Sequence, residues 1–133
     1  MSEDDNVVLV RRAYRAVAES DTGALLNLLA SDVVWRVPQM QGVPFAGEWH
    51  GREGVGKFFA AVAQSQDVMD FRPEQFIAQG ETVVVLGHFT MRVKASGRVS
   101  RSQWAHIWTV EGEQVSLFRE YVDTAAVIAA HGE

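Results

Sequence analysis

Trp104-Ala105-His106-Ile107-Trp108 and Phe118-Arg119-Glu120-Tyr121-Val122-Asp123 are the two arms of a C-terminal hairpin, and their reading decides the fold. Both arms are rich in aromatic and branched apolar residues, the composition of paired strands. Successive strand residues point to opposite faces, which sets Trp104, His106 and Trp108 on one side. Each arm also carries a titratable group, His106 or Glu120, where packing alone asks for a neutral side chain. Neither enters an apolar wall cheaply without a partner. Two such groups in an aromatic pocket are what proton-transfer chemistry needs.

Outward from this hairpin, the pattern extends into a meander. Thr82 to Val93 reads as a long strand, turned by Ala95-Ser96-Gly97-Arg98. Val99 to Val110 and Val115 to Val122 follow, joined by Glu111-Gly112-Glu113-Gln114. Glu74 to Gln79 is a shorter strand before the Gly80-Glu81 turn, the β character starting at Phe71. Upstream the period changes to helical. Val7, Val10, Tyr14 and Val17 form an apolar stripe with Arg11, Arg12, Arg15 and Glu19 between them, led by cap candidates from Ser2 to Asn6. Asp21 opens a second helix, Ala24 to Leu29, which Ser31-Asp32 ends. Val33 to Val37 is a short strand stopped by Pro38, and the Pro- and Gly-containing segment 38–51 reads as a loop over a pocket mouth. A third helix runs from Arg52 to Gln64 with Val55, Phe58, Phe59 and Val62 inward, and Asp123-Thr124 caps a last helix, Ala125 to Ala130. Helices followed by an antiparallel meander make the chain α+β, a curved sheet wrapped around helices, with residues 1–133 as one domain.

Composition narrows the chemistry. A formal charge of −5 argues against nucleic acid and anionic membranes as partners. With no cysteine, disulfides, thiol catalysis and zinc-thiolate sites are excluded. No apolar run approaches the roughly 20 residues of a membrane helix. The acidic start, Met1-Ser2-Glu3-Asp4-Asp5, does not read as a signal peptide, so the expected address is the cytoplasm. The four histidines occur singly, without His-x-His or His-Glu-x-x-His spacing, and no metal is expected. No cofactor motif appears either: Gly51 to Lys57 lacks phosphate-loop spacing, and Ser100 and Ser102 lack a nucleophile elbow. His50 and His88 read as surface residues.

Whether His106 meets Glu120 depends on the hairpin register. A clean two-residue loop at Gly112-Glu113 sets His106 opposite Arg119 and turns Glu120 to the other face. One extra residue, as a bulge supplies, sets His106 opposite Glu120, Trp108 opposite Phe118 and Trp104 opposite Val122. Composition prefers the second register, which places a carboxylate against the imidazole. A bulk reading stands beside the functional one. A buried His–Glu pair can simply satisfy itself, Tyr14 lies on a core stripe, and Asp123 reads as a helix cap.

Ala13-Tyr14-Arg15-Ala16-Val17-Ala18-Glu19-Ser20-Asp21, Leu28-Leu29-Ala30-Ser31-Asp32-Val33-Val34-Trp35, Gly47 to Val55 and Phe118 to Thr124 together give a resemblance to a known family. In these segments the chain resembles the nuclear transport factor 2-like superfamily, in its SnoaL-like and ketosteroid-isomerase-related branch. The resemblance implies a cone-shaped α+β barrel of mostly antiparallel sheet around three N-terminal helices, with a deep apolar pocket. It also implies a homodimer through the outer sheet face. Tyr14 falls near the phenol of the steroid isomerases' oxyanion hole. His106 and Glu120 fall where SnoaL-like cyclases have a histidine and their acidic base, which supports the bulged register. Val37 stands at the isomerases' general-base position and cannot accept a proton, so steroid isomerisation by that route is not expected. The implied activity is cofactor-independent proton transfer on a small apolar carbonyl compound. Glu120 would abstract a proton, and His106 with Tyr14 would donate to the enolate oxygen. Trp35, Phe59, Phe89, Trp104, Trp108 and Phe118 would shape the pocket. The alternative is a non-catalytic small-molecule-binding or dimerisation domain using the same pocket.

Overall fold

A computed structural model describes residues 2–132. Helix α1 (Glu3–Ala18) starts on a capping box, in which Ser2 Oγ accepts the Asp5 N–H at 3.0 Å and Asp5 Oδ2 accepts the Ser2 N–H. Its stripe of Leu9, Val10, Ala13 and Tyr14 is buried. Helix α2 (Thr22–Leu26) is capped by Asp21 as its spacing predicts, but ends three residues before Leu29. Strand β1 (Leu29–Val37) takes over there, four residues ahead of the expected Val33. The reason is tertiary. Leu29 and Val33 are fully buried, and Arg52 Nε donates to the Leu29 carbonyl at 2.9 Å, satisfying backbone where the strand is irregular.

The segment 38–51, read as loop, also holds a strand, β2 (Gly47–His50), paired antiparallel with β1. Helix α3 (Gly51–Ser65) follows directly. Strand β3 (Gln66–Gln79) begins well before Phe71, and local patterning fails because it is an edge strand with register shifts on either side of Asp70 to Pro73. Strands β4 (Thr82–Val93), β5 (Val99–Glu111) and β6 (Gln114–Val122) and helix α4 (Thr124–His131) lie where the sequence sets them, within two residues.

The six strands form one curved sheet in the order β2-β1-β6-β5-β4-β3. All neighbours are antiparallel except β1 and β6, which run parallel. The α+β architecture is therefore as the resemblance implies. No helix among the described residues is long and apolar enough to cross a membrane.

The β5–β6 register combines features that the sequence offered as alternatives. The turn is a clean two-residue one, with Gly112 and Glu113 both at positive φ (57° and 67°), the mirror-image turn that suits strand twist. The extra residue sits in the strand instead. Val110 faces Val115, but Thr109 faces Leu117, leaving Ser116 as the bulge. From there His106 faces Glu120, Trp108 faces Phe118 and Trp104 faces Val122.

Candidate active site

Strand β5 delivers Trp104, His106 and Trp108 to the inner face, each no more than 4% exposed, by the alternation of the pleat. Helix α1 crosses that face and brings in Tyr14, which packs edge-on against Trp108 and Phe76. The Arg11 guanidinium lies 3.9 Å over the Phe76 ring.

These residues are joined in one hydrogen-bonded chain. Trp108 Nε1–H donates to Tyr14 Oη at 2.9 Å, Tyr14 Oη lies 2.7 Å from His106 Nδ1, and His106 Nε2 lies 2.9 Å from Glu120 Oε2. Burial holds His106 below the ordinary histidine range, against the opposing pull of Glu120, so the ring is neutral at pH 7. Burial raises the Tyr14 phenol far above its ordinary value, and the Glu120 charge adds to that. A neutral ring facing a carboxylate keeps its proton on Nε2, which leaves Nδ1 bare to accept from the tyrosine. The direction of the chain is therefore fixed from Trp108 to Tyr14 to His106, and from His106 to Glu120.

The imidazole is also held by aromatic rings. Trp104 stacks on it at 3.9 Å, and Phe118 meets its edge at 4.8 Å. Trp104 can lie there because position 87 opposite it on β4 is glycine. A Cβ at Gly87 would come within 2.4 Å of the Trp104 ring and 2.2 Å of the Arg72 carbonyl. The lone glycine inside Val83-Val84-Val85-Leu86-Gly87-His88-Phe89 was the available signal, and the reading of the motifs missed it.

A cavity of about 750 Å³ opens over this chain, in the size range of small-molecule sites. Tyr14, His106 and Glu120 reach it, and so do Trp35, Phe59, Phe89, Trp108 and Phe118. Trp104 does not line it and sits behind His106. Phe58, Phe71 and Met91 add apolar wall, and Met40 and Phe45 show that segment 38–51 does reach the cavity. Trp35 stacks on Phe118 at 3.9 Å, fixing the β1–β6 corner of the wall. Glu120 side-chain exposure is 17%, and its Oε1 accepts no hydrogen bond among the described residues. The carboxylate thus has one oxygen held and one free. His50 and His88 lie apart, His50 against Glu48 and His88 between Asp70 and Glu74. Among the described residues no three His, Cys, Asp or Glu groups converge as metal ligands.

Comparison with known proteins gives a consistent neighbourhood. The SnoaL-like domain model matches residues 10–118. An NTF2-like protein from Burkholderia xenovorans LB400 is 32% identical, with 99% of each chain covered and a TM-score of 0.90. TerC, solved with polyporic acid, is 26% identical over 96% of this chain and 98% of its own, with a TM-score of 0.84. An uncharacterized protein of Mycobacterium tuberculosis H37Rv is 28% identical over 130 residues, 95% of each chain.

Proposed function

Because this chain belongs to the SnoaL-like domain family, we propose that it is a cofactor-independent enzyme that moves a proton on a neutral, apolar carbonyl compound, in the manner of a polyketide cyclase or isomerase. The single observation that carries this is the state of Glu120, one oxygen held by His106 and the other unpartnered beside an apolar cavity. A carboxylate with one oxygen held and the other free is directed, which suits a general base. Glu120 Oε1 takes the proton alpha to the carbonyl. The negative charge leaves Glu120 as it is protonated, and its hold on the His106 Nε2–H weakens. The His106 Nε2–H is then shared with the developing enolate oxygen while the ring stays in place, with Tyr14 holding Nδ1 from behind. His106 therefore first positions the base, and donates to the substrate only as charge develops.

The co-crystal of TerC with polyporic acid supports a small organic ligand for this fold's pocket. A second reading has its own support. From Trp108 to Glu120 Oε2 the buried chain is satisfied without any ligand, as a binding domain would also have it. Deuterium exchange at the acetyl methyl of 2-acetylanthracene separates the two. The wild type exchanges it faster than buffer, and Glu120→Gln slows this on the order of 10²–10⁴-fold. Binding without exchange supports the non-catalytic reading.

The same reading includes a homodimer through the outer sheet face. Ile77, Val84 and Ile107 form one outward row, and Leu86 and Tyr121 flank Ala105 in the next. Ile77, Leu86 and Tyr121 are 46%, 38% and 52% exposed, so apolar side chains of two adjacent rows face outward.

A further inference from the structure

Ser100 and Ser102 stand two residues apart on the inner face of β5, and their hydroxyls differ in use. Ser102 Oγ accepts the Asp123 N–H at 2.9 Å and donates to the Gln103 carbonyl, tying down the start of α4. Ser100 is 3% exposed and lines the cavity, yet its Oγ has no partner among the described residues. A buried hydroxyl left without a partner is costly, and an alanine would fill the same place without that cost. Gln66, 8% exposed, lines the cavity as well, and its side-chain amide makes no hydrogen bond among the described residues. Gln66 pairs with Val93 and Ser100 with Met91, so the two flank β4 at the same end of the cavity. That end is six residues along β5 from His106, about 20 Å at strand rise.

We propose that Ser100 and Gln66 form a second polar subsite, holding a hydroxyl or carbonyl oxygen at the far end of an elongated, uncharged aromatic ligand. A hydroxyl and a carboxamide each donate and accept, so they match a neutral oxygen. Charge selects in the same direction. Among the described residues no Lys or Arg lines the cavity, while Asp21, Asp67, Asp70 and Glu120 do, so an anionic end group has nothing to pair with. The apolar and aromatic wall between the two ends fits fused rings. That the opposite end is the reacting one rests on the reading of Glu120 as base.

The test uses three probes of one shape: 2-acetylanthracene, its 6-hydroxy derivative and its 6-carboxylic acid. Binding is followed by quenching of tryptophan fluorescence, since Trp35 and Trp108 line the cavity. The wild type binds the hydroxy probe roughly fivefold tighter than the parent, the size of one net hydrogen bond, and the acid weakest. Ser100→Ala brings the hydroxy-to-parent ratio to about one, and Gln66→Met reduces it. An unchanged ratio in Ser100→Ala, tightest binding of the acid, or no saturable binding of any probe overturns the subsite. Methyl exchange on the same probes reads the base separately. Absent exchange with a surviving hydroxyl preference overturns the role of Glu120 and leaves the subsite standing.

Discussion

The Tyr14 hydroxyl donates to His106 Nδ1 across 2.7 Å, because Trp108 already donates to it and Glu120 claims the proton on the other ring nitrogen. One phenol therefore settles two buried polar atoms. Tyr14→Phe orphans both, and each costs on the order of 1–3 kcal/mol when buried without a partner. We expect a loss of about 3 kcal/mol, read as a lower urea midpoint at unchanged slope. A loss within about 0.5 kcal/mol would show that the hydroxyl is not holding the chain.

His106 also sets a pH dependence of stability. Burial lowers its folded pKa below the ordinary 6.5, so the unfolded chain takes up the proton first as pH falls. Its contribution is complete above pH 6.5 and is lost as pH drops from there through the lowered folded value. The unfolding free energy of the wild type should fall below pH 6.5, and His106→Gln should flatten that slope. His88 works in the opposite sense, since Glu74 and then Asp70 raise it, but it is solvent-exposed and screened. A slope identical in the two proteins would exclude His106 as its source.

Gly87 should matter out of proportion to its size. Any Cβ there drives into Trp104 and the Arg72 carbonyl. Gly87→Ala is expected to cost about 1–3 kcal/mol by overpacking and to change the near-UV circular dichroism of the tryptophans. Trp104→Phe in the same chain should restore part of the loss, because the smaller ring vacates the space. No restoration would place the clash at the Arg72 backbone instead.

Ser116 is the extra residue taken up in the bulge, and its side chain carries little. Its Oγ reaches only the Thr109 carbonyl, at 3.4 Å. Ser116→Ala should therefore stay within about 0.5 kcal/mol of wild type. Deleting Ser116 leaves Val110 facing Val115 and Thr109 facing Leu117 with no extra residue between them, so Phe118 and Glu120 keep their inward places. The deletion variant should therefore fold cooperatively and retain ketone exchange. A deletion variant that folds but has lost exchange would refute the role given to the bulge.

The proposed dimer is checked by sedimentation. Leu86→Arg and Ile107→Glu each put a charge into the outward apolar rows and should shift the wild type from dimer to monomer. A wild-type chain that sediments as a monomer overturns the dimer directly.

Elements with strong local signals lie where the sequence places them. The meander from Thr82 to Val122 and the caps at Asp21 and Asp123 are written in alternation, in glycine at turns and in short acidic side chains. The misplaced elements are those whose reasons lie elsewhere in the chain. Strand β2 exists because β1 offers it an edge, and Leu29 is extended because Arg52 and the core hold it. Phe58, Phe71 and Gln66 were not named as site residues because nothing local distinguishes a cavity wall from a core.

By itself, then, the sequence determined that His106 and Glu120 occupy neighbouring strands, since pleat alternation and turn chemistry act over a few residues. The tertiary structure alone decided that they touch, because bulging Ser116 out, not pairing it in-line, sets which face the rest of the strand presents, and only packing chooses where the extra residue goes. It alone also brought Tyr14 from 92 residues away to the imidazole, a contact no local period encodes.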